Sequence, residues 1–476
     1  MSSRQLQRST PEQQGVNPEA VLYFINELEQ ARTQDMRQDI HSFMLLRHGY
    51  VIAEGCWTPY AKEMPHAMFS LSKSFTSTAV GFAAAEGLLS VEHPVVSYFA
   101  KECPQPSAHL SKLRIKDLLT MSTGQKQDPV KAMLYQKEGD WVKAFFEEEV
   151  TREPGSQFSY NSGATYLLSV IIQKVSGHKL VDYLEPRLFA PLGIEHPHWN
   201  ECPKGYNAGG FGIWLQTEDL ARLGQLYLNK GKWEGRQLLP EEWVEEATGY
   251  QINNLGSDPD LDWREGYGYQ FWRCRHNAFR GDGAYGQYCV ILPEQDMVCV
   301  ITAGMCDKQK PLDALWNNII PGVDHLPEKP SSKGLADKLS SLRVLLPEGS
   351  RESNAAAVID GKCFALGRNT SEFDTVTFRF EKDRIRMSGH KAGKVSEYHI
   401  GIGFWSENTI NRKGRRHPAY MTGIWTEWDT LLIQCRLVET PYAFCYKFTF
   451  REEKADMESQ TNLYLDESEW DQDLCW

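Results

Sequence analysis

The sequence predicts two domains, a mixed α/β domain followed by an all-β domain, and three observations support this division. Helical and strand patterns alternate up to about residue 326. Residues 327–334 are rich in proline, serine and charge, as linkers between domains often are. Beyond them, apolar residues recur at every second position without an intervening helical pattern. We therefore expect domains at residues 1–326 and 335–450, a linker at 327–334 and an acidic tail at 451–476.

The elements of the first domain are predicted from the spacing of its apolar residues. A first helix at about residues 18–30 is indicated by apolar side chains at helical spacing, Val21, Leu22, Ile25 and Leu28. Two short apolar runs around Gly49 predict a β-hairpin over residues 43–55. The remaining expected elements are helices at 70–86, 115–122, 163–176 and 218–229, and a second hairpin formed by residues 287–292 and 297–303.

The second domain shows alternation typical of half-buried strands, clearest in Leu431, Ile433, Cys435 and Leu437. Six to eight such strands without a helix between them suggest a β-barrel or a β-sandwich. Three tryptophans of this region are candidates to line a ligand cavity or, as is more usual for aromatic residues in a small barrel, to fill its core. They are Trp405, Trp425 and Trp428.

Composition and charge exclude several classes of function. With 41% hydrophobic and 24% charged residues the chain has the balance of a folded globular protein. Its net charge of -12 argues against binding to nucleic acid or to an anionic membrane surface. Most of this charge comes from residues 451–476, where nine acidic residues face two basic ones. The net charge is therefore a poor guide to the substrate.

Targeting and metal-binding signals are not apparent in the sequence. The first residues carry no apolar leader, and no stretch reaches the roughly 18 apolar residues of a spanning helix, so we expect a cytoplasmic protein that does not contact membranes. Eleven cysteines without a C-x-x-C pair are typical of reduced thiols rather than of disulfides or zinc. His196 and His198 flank a proline and indicate a surface loop. We expect neither a metal nor a cofactor.

Ser70 and Lys73 form the sharpest local motif, a Ser-x-x-Lys at the start of a predicted helix. Residues three apart lie on the same helix face, so the two side chains can touch. A serine hydroxyl becomes a nucleophile when a lysine with a lowered pKa takes its proton, and the helix N-terminus favours developing negative charge. The bare motif also fits an ordinary half-buried helix. It recurs at Ser176 and Ser388, where a glycine follows and indicates a helix end and a strand turn, respectively.

Two further segments are candidates for the same site. A polar loop brings Tyr160 just ahead of the helix at 163–176, where a neighbouring lysine cation would lower the tyrosine pKa from about 10 and allow proton transfer. The alternative is an aromatic residue that only packs. Residues 280–287 are rich in glycine and lead into a strand, where a backbone N–H can serve as an oxyanion donor. Their alternative explanation is a plain entry into a hairpin.

In this order, Ser-x-x-Lys, Tyr160-Asn161-Ser162 and a glycine-rich triplet before a strand resemble the motifs of serine hydrolases of the β-lactamase and penicillin-binding-protein superfamily. The similarity is greatest to the class C β-lactamase-like branch, which includes carboxylesterases, D-aminopeptidases and 6-aminohexanoate-dimer hydrolase. The resemblance covers about residues 10–325 and includes blocks at 41–49, 117–124, 188–194 and 219–224. It implies an α/β (α+β) sandwich, with an antiparallel sheet flanked by helices and an inserted helical subdomain. The strand pattern of the second domain resembles the lipocalin-like or sandwich appendages of some members.

The resemblance also implies roles for individual residues. Ser70 would be the acylated nucleophile, Lys73 its proton acceptor, and Tyr160 a shuttle that carries the proton to the leaving group and back from water. The backbone N–H groups of Ser70 and Ala284 would form the oxyanion hole. Substrate contacts are expected from Ser162, Asp282 and Gly283.

Two departures from the family pattern bear on the substrate. Ser162 stands where the family usually has asparagine, and Gly281-Asp282-Gly283 replaces a triplet that usually begins with lysine or histidine. The usual partner of a β-lactam carboxylate is therefore missing, and Asp282 would repel that group. A cation from elsewhere remains an alternative, with Arg273, Arg275, His276 and Arg280 as candidates.

We therefore expect a serine hydrolase that is a poor β-lactamase and cleaves a neutral or amine-bearing amide or ester. The expected partner is a small-molecule or short-peptide substrate. Two alternatives stay open: a true β-lactamase or a peptidase for D-amino-acid or DD-peptide substrates, and a non-catalytic binding or scaffold protein on the same fold.

Overall fold

A six-stranded antiparallel sheet lies at the centre of the first domain in the computed structural model, which describes residues 5–30, 36–256, 260–367, 373–412 and 415–463. The strands of this region are β1 (Gln38–Arg47), β2 (Tyr50–Cys56), β3 (His66–Ala67), β4 (His198–Trp199), β5 (Ile213–Leu215), β6 (Lys232–Trp233), β7 (Arg236–Gln237), β8 (Trp272–Arg273), β9 (Phe279–Gly283), β10 (Gln287–Leu292) and β11 (Met297–Met305). Within the described residues the sheet order is β2-β1-β11-β10-β9-β8. The two predicted hairpins are β1–β2 and β10–β11.

Helices cover both faces of this sheet. They are α1 (Pro18–Gln30), α2 (Ser72–Ala85), α3 (Ile115–Leu119), α4 (Val130–Leu134), α5 (Trp141–Glu147), α6 (Ser162–Ser176), α7 (Leu180–Leu184), α8 (Ala190–Leu192), α9 (Thr217–Leu228), α10 (Glu241–Thr248), α11 (Lys310–Ala314), α12 (Ile320–Gly322), α13 (Lys333–Ser340) and α14 (Ala355–Ile359). Helices α2 to α10 form the helical part that is inserted between the hairpin β1–β2 and strand β8. This arrangement confirms the predicted fold class.

Strand β1 separates two apolar cores. Because successive side chains of a strand point to opposite faces, Met44 and Leu46 join the core beneath α2, α6 and α9. Phe43 and Leu45 join the core beneath α1 and α11, which we call the α1-side core. All four side chains are buried, so the strand is apolar on both faces.

The C-terminal domain is a closed barrel. Its strands are β12 (Cys363–Leu366), β13 (Thr375–Phe380), β14 (Arg384–Lys391), β15 (Lys394–Ile402), β16 (Ser406–Arg412), β17 (Arg415–Glu427), β18 (Thr430–Leu437), β19 (Ala443–Arg451) and β20 (Lys454–Thr461). Pairing of β15 with β17 closes eight of these strands, and β16 extends the edge of β17. Of the two predicted architectures, barrel and sandwich, the structure shows the barrel.

The three tryptophans of this domain have different environments. Trp425 is buried in the barrel core and stacks on Phe380, with ring centroids 5.6 Å apart. Trp405 is partly buried and packs against the α1-side core. Trp428 is 76% exposed. None of these positions indicates a ligand cavity inside the barrel.

The structure differs from the predicted segment boundaries in two places. Helix α13 begins inside the predicted linker and buries Leu335 in the α1-side core. Strand β20 lies inside the predicted acidic tail, where Ala455 and Met457 are buried while the alternate residues Asp456 and Glu458 face solvent. The high acidic content of the tail hid this alternation. Residues 464–476 lie outside the described part of the chain.

The serines of the other two Ser-x-x-Lys motifs, Ser176 and Ser388, lie within regular secondary structure. Ser176 is the last residue of α6, and its hydroxyl donates to the Ile172 carbonyl at 2.7 Å. Ser388 lies inside β14 rather than at a turn. The glycine after it is required by packing, because a Cβ on Gly389 would lie 2.6 Å from the ring of Phe373.

Among the described residues, no helix combines the length and apolarity needed to cross a membrane.

The barrel contacts the first domain through the loop between β18 and β19, residues 438–442, which we call the barrel loop. The Glu439 carbonyl accepts a hydrogen bond from Ala67 N at 2.8 Å. Nearby, Arg436 of β18 and Asp39 of β1 form a buried ion pair at 2.8 Å. These contacts bring the barrel next to the segment that carries Ser70.

Candidate active site

Ser70 lies in a short 3-10 turn, Phe69–Leu71, that leads directly into α2. Phe69 has a φ of 48°, a left-handed conformation that costs a residue other than glycine about 1–2 kcal/mol. The turn is held by Ser72, whose hydroxyl donates to the Phe69 carbonyl at 2.6 Å and accepts from Ile213 N at 3.2 Å. Ser70 is therefore presented on a fixed and locally strained turn.

Lys73 extends from the first turn of α2 back to Ser70. Its Nζ lies 3.0 Å from Ser70 Oγ, 3.2 Å from Ser162 Oγ and 2.7 Å from the Gly210 carbonyl oxygen. The side chain is only 2% exposed. Burial lowers the Lys73 pKa from 10.5 to about 7, although the negative charges of Asp128 and Asp282 act in the opposite direction.

These three neighbours suit both protonation states of Lys73. A charged ammonium has three N–H donors, one for each oxygen. A neutral amine keeps two donors, which Ser162 and Gly210 can accept, and turns its lone pair toward the hydroxyl of Ser70. The same set of contacts therefore accommodates the lysine in its charged and in its neutral form.

Tyr160 lies close to both Ser70 and Lys73. Its ring lies 4.8 Å from Lys73 Nζ and stacks on Trp272 at 5.8 Å. Burial raises the Tyr160 pKa well above 10, and nearby carboxylates add to this effect. The expected lowering of this pKa was wrong, because Lys73 is itself readily neutral and does not compensate for the loss of water around Tyr160. Tyr160 is a protonated phenol at neutral pH.

Asp128 is a residue of this site that the motifs did not predict. Its carboxylate accepts hydrogen bonds from the backbone N–H groups of Ser162 at 2.7 Å and Gly163 at 3.3 Å, at the N-terminus of α6. It thereby holds Ser162 beside Lys73 and favours the charged form of that lysine.

A glycine pair on the far side of Lys73 was also missed. Gly210 supplies the carbonyl that binds Lys73, and a Cβ on Gly210 would lie 2.8 Å from the Ser162 carbonyl oxygen. Gly209 has a φ of 65°, and its carbonyl accepts from Thr76 Oγ1 of α2 at 2.8 Å. Only glycine fits this close approach to α6.

The third predicted segment lies along the same turn. A Cβ on Gly281 would lie 2.9 Å from Ser74 Oγ, and one on Gly283 would collide with the Met68 carbonyl oxygen. These glycines allow β9 to pack closely against the chain around Ser70, on the Ser74 and Leu71 side chains at Gly281 and on the Met68 backbone at Gly283. Ala284 follows β9 directly and is exposed.

The charge of Asp282 is largely compensated. Its carboxylate forms an ion pair with Arg280 at 2.8 Å, and Arg280 is fully buried with its guanidinium 4.1 Å from the ring of Trp263. The repulsion of anionic substrates that we expected from Asp282 is therefore weakened.

The other candidate cations have partners of their own. Arg275 pairs with Asp262 and Asp313, and Arg273 donates to the Thr248 carbonyl. His276 packs near Trp316, with ring centroids 5.3 Å apart. Within the described ranges, no group of three or more His, Cys, Asp or Glu residues is arranged to hold a metal ion.

Residues 28–313 match the beta-lactamase family, a match that covers more than half of the chain. The chain belongs to the beta-lactamase family. It is 25% identical to the 6-aminohexanoate-dimer hydrolase of Paenarthrobacter ureafaciens over 334 residues, which cover 66% of this chain and 84% of the relative. The resemblance recognised in the sequence is confirmed, and the family and the names of its members indicate a hydrolase.

Two solved structures show the same fold. A putative 6-aminohexanoate-dimer hydrolase from Bacillus anthracis is 24% identical, with a TM-score of 0.53 over 64% of this chain and 83% of that chain. A penicillin-binding protein homologue from Pyrococcus abyssi is 16% identical, with a TM-score of 0.51 over 92% of this chain and 97% of that chain. The second likeness extends into the barrel.

In this beta-lactamase family member, three of the predicted residues, Ser70, Ser162 and Tyr160, lie around the fourth, Lys73. Gly283 is the last residue of β9, which packs against the turn of Ser70, and Ala284 follows it directly. Asp128 gave no local signal, because it lies on a loop distant in sequence from both motifs. The glycine run at 209–212 is visible in the sequence, but it matches neither of the common nucleotide-binding motifs and so gave no signal for a role beside Lys73.

Proposed function

We propose that this protein is a serine hydrolase that cleaves an amide or ester bond through an acyl-enzyme on Ser70. The observation that carries this proposal is the buried Lys73, whose Nζ lies 3.0 Å from Ser70 Oγ and whose pKa is lowered to about 7. A lysine in this state is neutral in about half of the molecules at neutral pH and can act as a general base.

In the acylation step, Ser70 Oγ attacks the substrate carbonyl carbon while its proton passes to Lys73 Nζ. The carbonyl oxygen becomes an oxyanion that accepts hydrogen bonds from the backbone N–H groups of Ser70 and Ala284. The position of β9, which packs at Met68, supports this pairing of donors. The bond to the leaving group then breaks and leaves the acyl group on Ser70.

Tyr160 completes the proton transfer. Its pKa is raised, so it stays protonated and acts as a neutral relay. Its hydroxyl gives a proton to the leaving nitrogen or oxygen and regains one from Lys73, which holds the proton taken from Ser70. In deacylation, water takes the place of the leaving group and the proton moves in the reverse direction. Ser162 holds Lys73 throughout by the 3.2 Å hydrogen bond.

The substrate that we propose is a neutral or amine-bearing amide or ester. Within the described residues, the arginines near β9 are engaged by carboxylates or carbonyls, and the family's cation of the third motif is replaced by Gly281. The similarity to 6-aminohexanoate-dimer hydrolase supports an amide. We expect kcat/KM for a chromogenic cephalosporin to be about 100-fold or more below that for an activated ester, as for the loss of a charged contact. Efficient cephalosporin hydrolysis would refute this substrate class.

Labelling with a fluorophosphonate tests the nucleophile. The wild-type protein should gain one adduct in its intact mass, formed by attack of Ser70 Oγ on phosphorus with loss of fluoride. Ser70→Ala should gain none, whereas Ser176→Ala and Ser388→Ala should label like the wild type. No adduct on the wild-type protein would favour the non-catalytic binding protein, and an adduct that Ser70→Ala retains would overturn the assignment of the nucleophile.

A further inference from the structure

Three aromatic rings connect the barrel to the two backbone segments of the proposed oxyanion hole. Phe69 and Tyr285 meet edge to face, with ring centroids 5.5 Å apart. Tyr442 of the barrel loop contacts both, at 6.3 Å from Phe69 and 5.9 Å from Tyr285. Phe69 directly precedes Ser70, and Tyr285 directly follows Ala284, so the cluster adjoins both proposed N–H donors.

Both residues of the first domain in this cluster have an unfavourable backbone conformation. The φ angles are 48° for Phe69 and 66° for Tyr285, a region that bulky side chains rarely occupy. Such conformations persist only where the surroundings impose them. The direction of an N–H group depends on the dihedral angles next to it, so the packing of these two rings affects the aim of both donors.

The third ring is held firmly by the barrel. Tyr442 is fully buried, and its backbone N–H and carbonyl bind Thr440 Oγ1 at 3.1 Å and Leu437 N at 3.1 Å. Asn462 donates to the Pro441 carbonyl at 2.8 Å and so fixes the loop from its other side.

The barrel loop is also fixed to the chain that leads to the nucleophile. The hydrogen bond from Ala67 N to the Glu439 carbonyl, 2.8 Å long, lies two residues before Phe69. A Cβ on Gly304 of β11 would meet the Pro441 carbonyl at 2.5 Å, which shows how closely the loop rests on the sheet. Tyr442 is therefore set at a constant distance from the turn of Ser70.

We propose that Tyr442 is a positioning residue of the hydrolase, by which the barrel holds the oxyanion-hole backbone at Ser70 and Ala284 in its active geometry. This inference rests on the proposed function above. It assigns the C-terminal domain a part in the chemistry without any contact to the substrate.

The kinetic consequence follows from where the oxyanion exists. Its negative charge develops only in the transition state, so misaligned donors reduce kcat and leave substrate binding nearly intact. We expect Tyr442→Ala to lower kcat for an activated ester about 10- to 100-fold and to change KM by less than about 3-fold. The rate at which a fluorophosphonate labels Ser70 should fall by the same factor when it is divided by the fraction of molecules that can be labelled.

Three further variants separate positioning from loss of folding. Tyr442→Phe keeps the ring and should retain activity within about 3-fold of the wild type. Tyr442→Leu keeps apolar bulk without the ring and should behave like Tyr442→Ala, even if the alanine variant fails to fold. Tyr446→Ala removes a half-buried tyrosine of β19, on the same hairpin of the barrel, and should leave the rate per reactive site unchanged.

The proposal fails if Tyr442→Ala or Tyr442→Leu is acylated at the wild-type rate per reactive site. It also fails if Tyr446→Ala loses as much activity, which would indicate general damage to the barrel, or if Tyr442→Phe is as defective as Tyr442→Ala. A wild-type protein that takes no label at Ser70 would refute the proposed function itself. Labelling of the wild type with an unchanged Tyr442→Ala would refute only the role of Tyr442.

Discussion

Lys73 is a basic residue in a place where its charge is unfavourable. Water is excluded from its ammonium group, which favours the neutral amine. Three oxygen acceptors and the charges of Asp128 and Asp282 offset part of that cost. The resulting pKa of about 7 places the lysine between its two states near neutral pH.

The lowered pKa has a consequence for stability. Between pH 7 and 10.5 the unfolded chain keeps a proton on Lys73 that the folded protein has lost, so the free energy of unfolding rises with pH in this window. We expect the wild type to gain up to about 1.4 kcal/mol per pH unit relative to Lys73→Met, as measured by urea unfolding of both proteins. Parallel pH profiles of the two proteins over this window would contradict the lowered pKa.

The negative charge of Asp128 should raise the pKa of Lys73. In Asp128→Asn the nearby negative charge is lost, so the Lys73 pKa should fall further and the acid limb of the Ser70 acylation profile should move to lower pH by about half a unit or more. The variant also loses a favourable charge at the N-terminus of α6. Asp182→Asn is the matched control, because Asp182 is exposed in the first turn of α7 and its loss should not move the profile. A shift to higher pH would refute this role of Asp128.

Helix α2 is an unusual support for these side chains, since its first half is polar and yet buried. Short hydroxyl side chains satisfy themselves on nearby carbonyls: Ser74 donates to Gln270 at 3.0 Å, Thr76 to Gly209 at 2.8 Å and Thr78 to Ser74 at 2.8 Å. These bonds connect α2 to Gln270, just before β8, and to Gly209, the neighbour of the glycine whose carbonyl binds Lys73. The helix therefore holds Lys73 in a fixed position relative to the glycine pair.

Strand β9 should tolerate no side chain at Gly283. The Cβ of Gly283→Ala would collide with the Met68 carbonyl oxygen, so β9 must move away from the turn of Ser70. We expect a loss of about 1–3 kcal/mol in unfolding free energy and a fall of about 100-fold in Ser70 acylation rate. Gly334→Ala is the control. Gly334 lies in helix α13, where an added Cβ would be an ordinary 3.6 Å from Leu22 of α1, so this substitution should leave the free energy of unfolding unchanged or raise it slightly. Gly283→Ala with wild-type acylation would contradict the placement of β9.

The elements of the site differ in how far the sequence predicts them. Ser70 and Lys73 are local, because three residues of helix bring their side chains together whatever the rest of the fold does. Asp128 and Gly210 come near Lys73 only through the packing of loops far apart in sequence, and no periodicity encodes that. Strand β20 was hidden because its exposed positions are polar and include Asp456 and Glu458, which made the segment resemble a solvated tail.

The two domains are connected by more than a linker. Asp39 and Arg436 form their ion pair with only 5% and 1% of the side chains exposed, between the sheet and the barrel. Helix α13, which precedes the barrel, packs in the α1-side core. The barrel loop lies beside the nucleophile turn. We therefore expect the sheet and the barrel to unfold in one cooperative transition.

Breaking the buried pair should cost far more than breaking an exposed one. In Asp39→Asn the charge of Arg436 stays buried without its ion-pair partner, so we expect a loss of about 3–5 kcal/mol in unfolding free energy. The matched control is Glu381→Gln, whose partner Arg386 lies 3.1 Å away on the barrel surface, and it should cost less than about 1 kcal/mol. Equal losses in urea unfolding would show that the interface does not depend on this pair.

The central claim is that Ser70 is activated by a buried, readily neutral Lys73, and the pH dependence of Ser70 acylation tests it most directly. The wild-type rate of fluorophosphonate labelling should rise with pH, pass its midpoint near pH 7 and level off above it. Lys73→Met should label about 100-fold more slowly or not at all. A wild-type rate that is flat from about pH 5.5 to 9, or a Lys73→Met variant that labels as fast as the wild type, would contradict the claim.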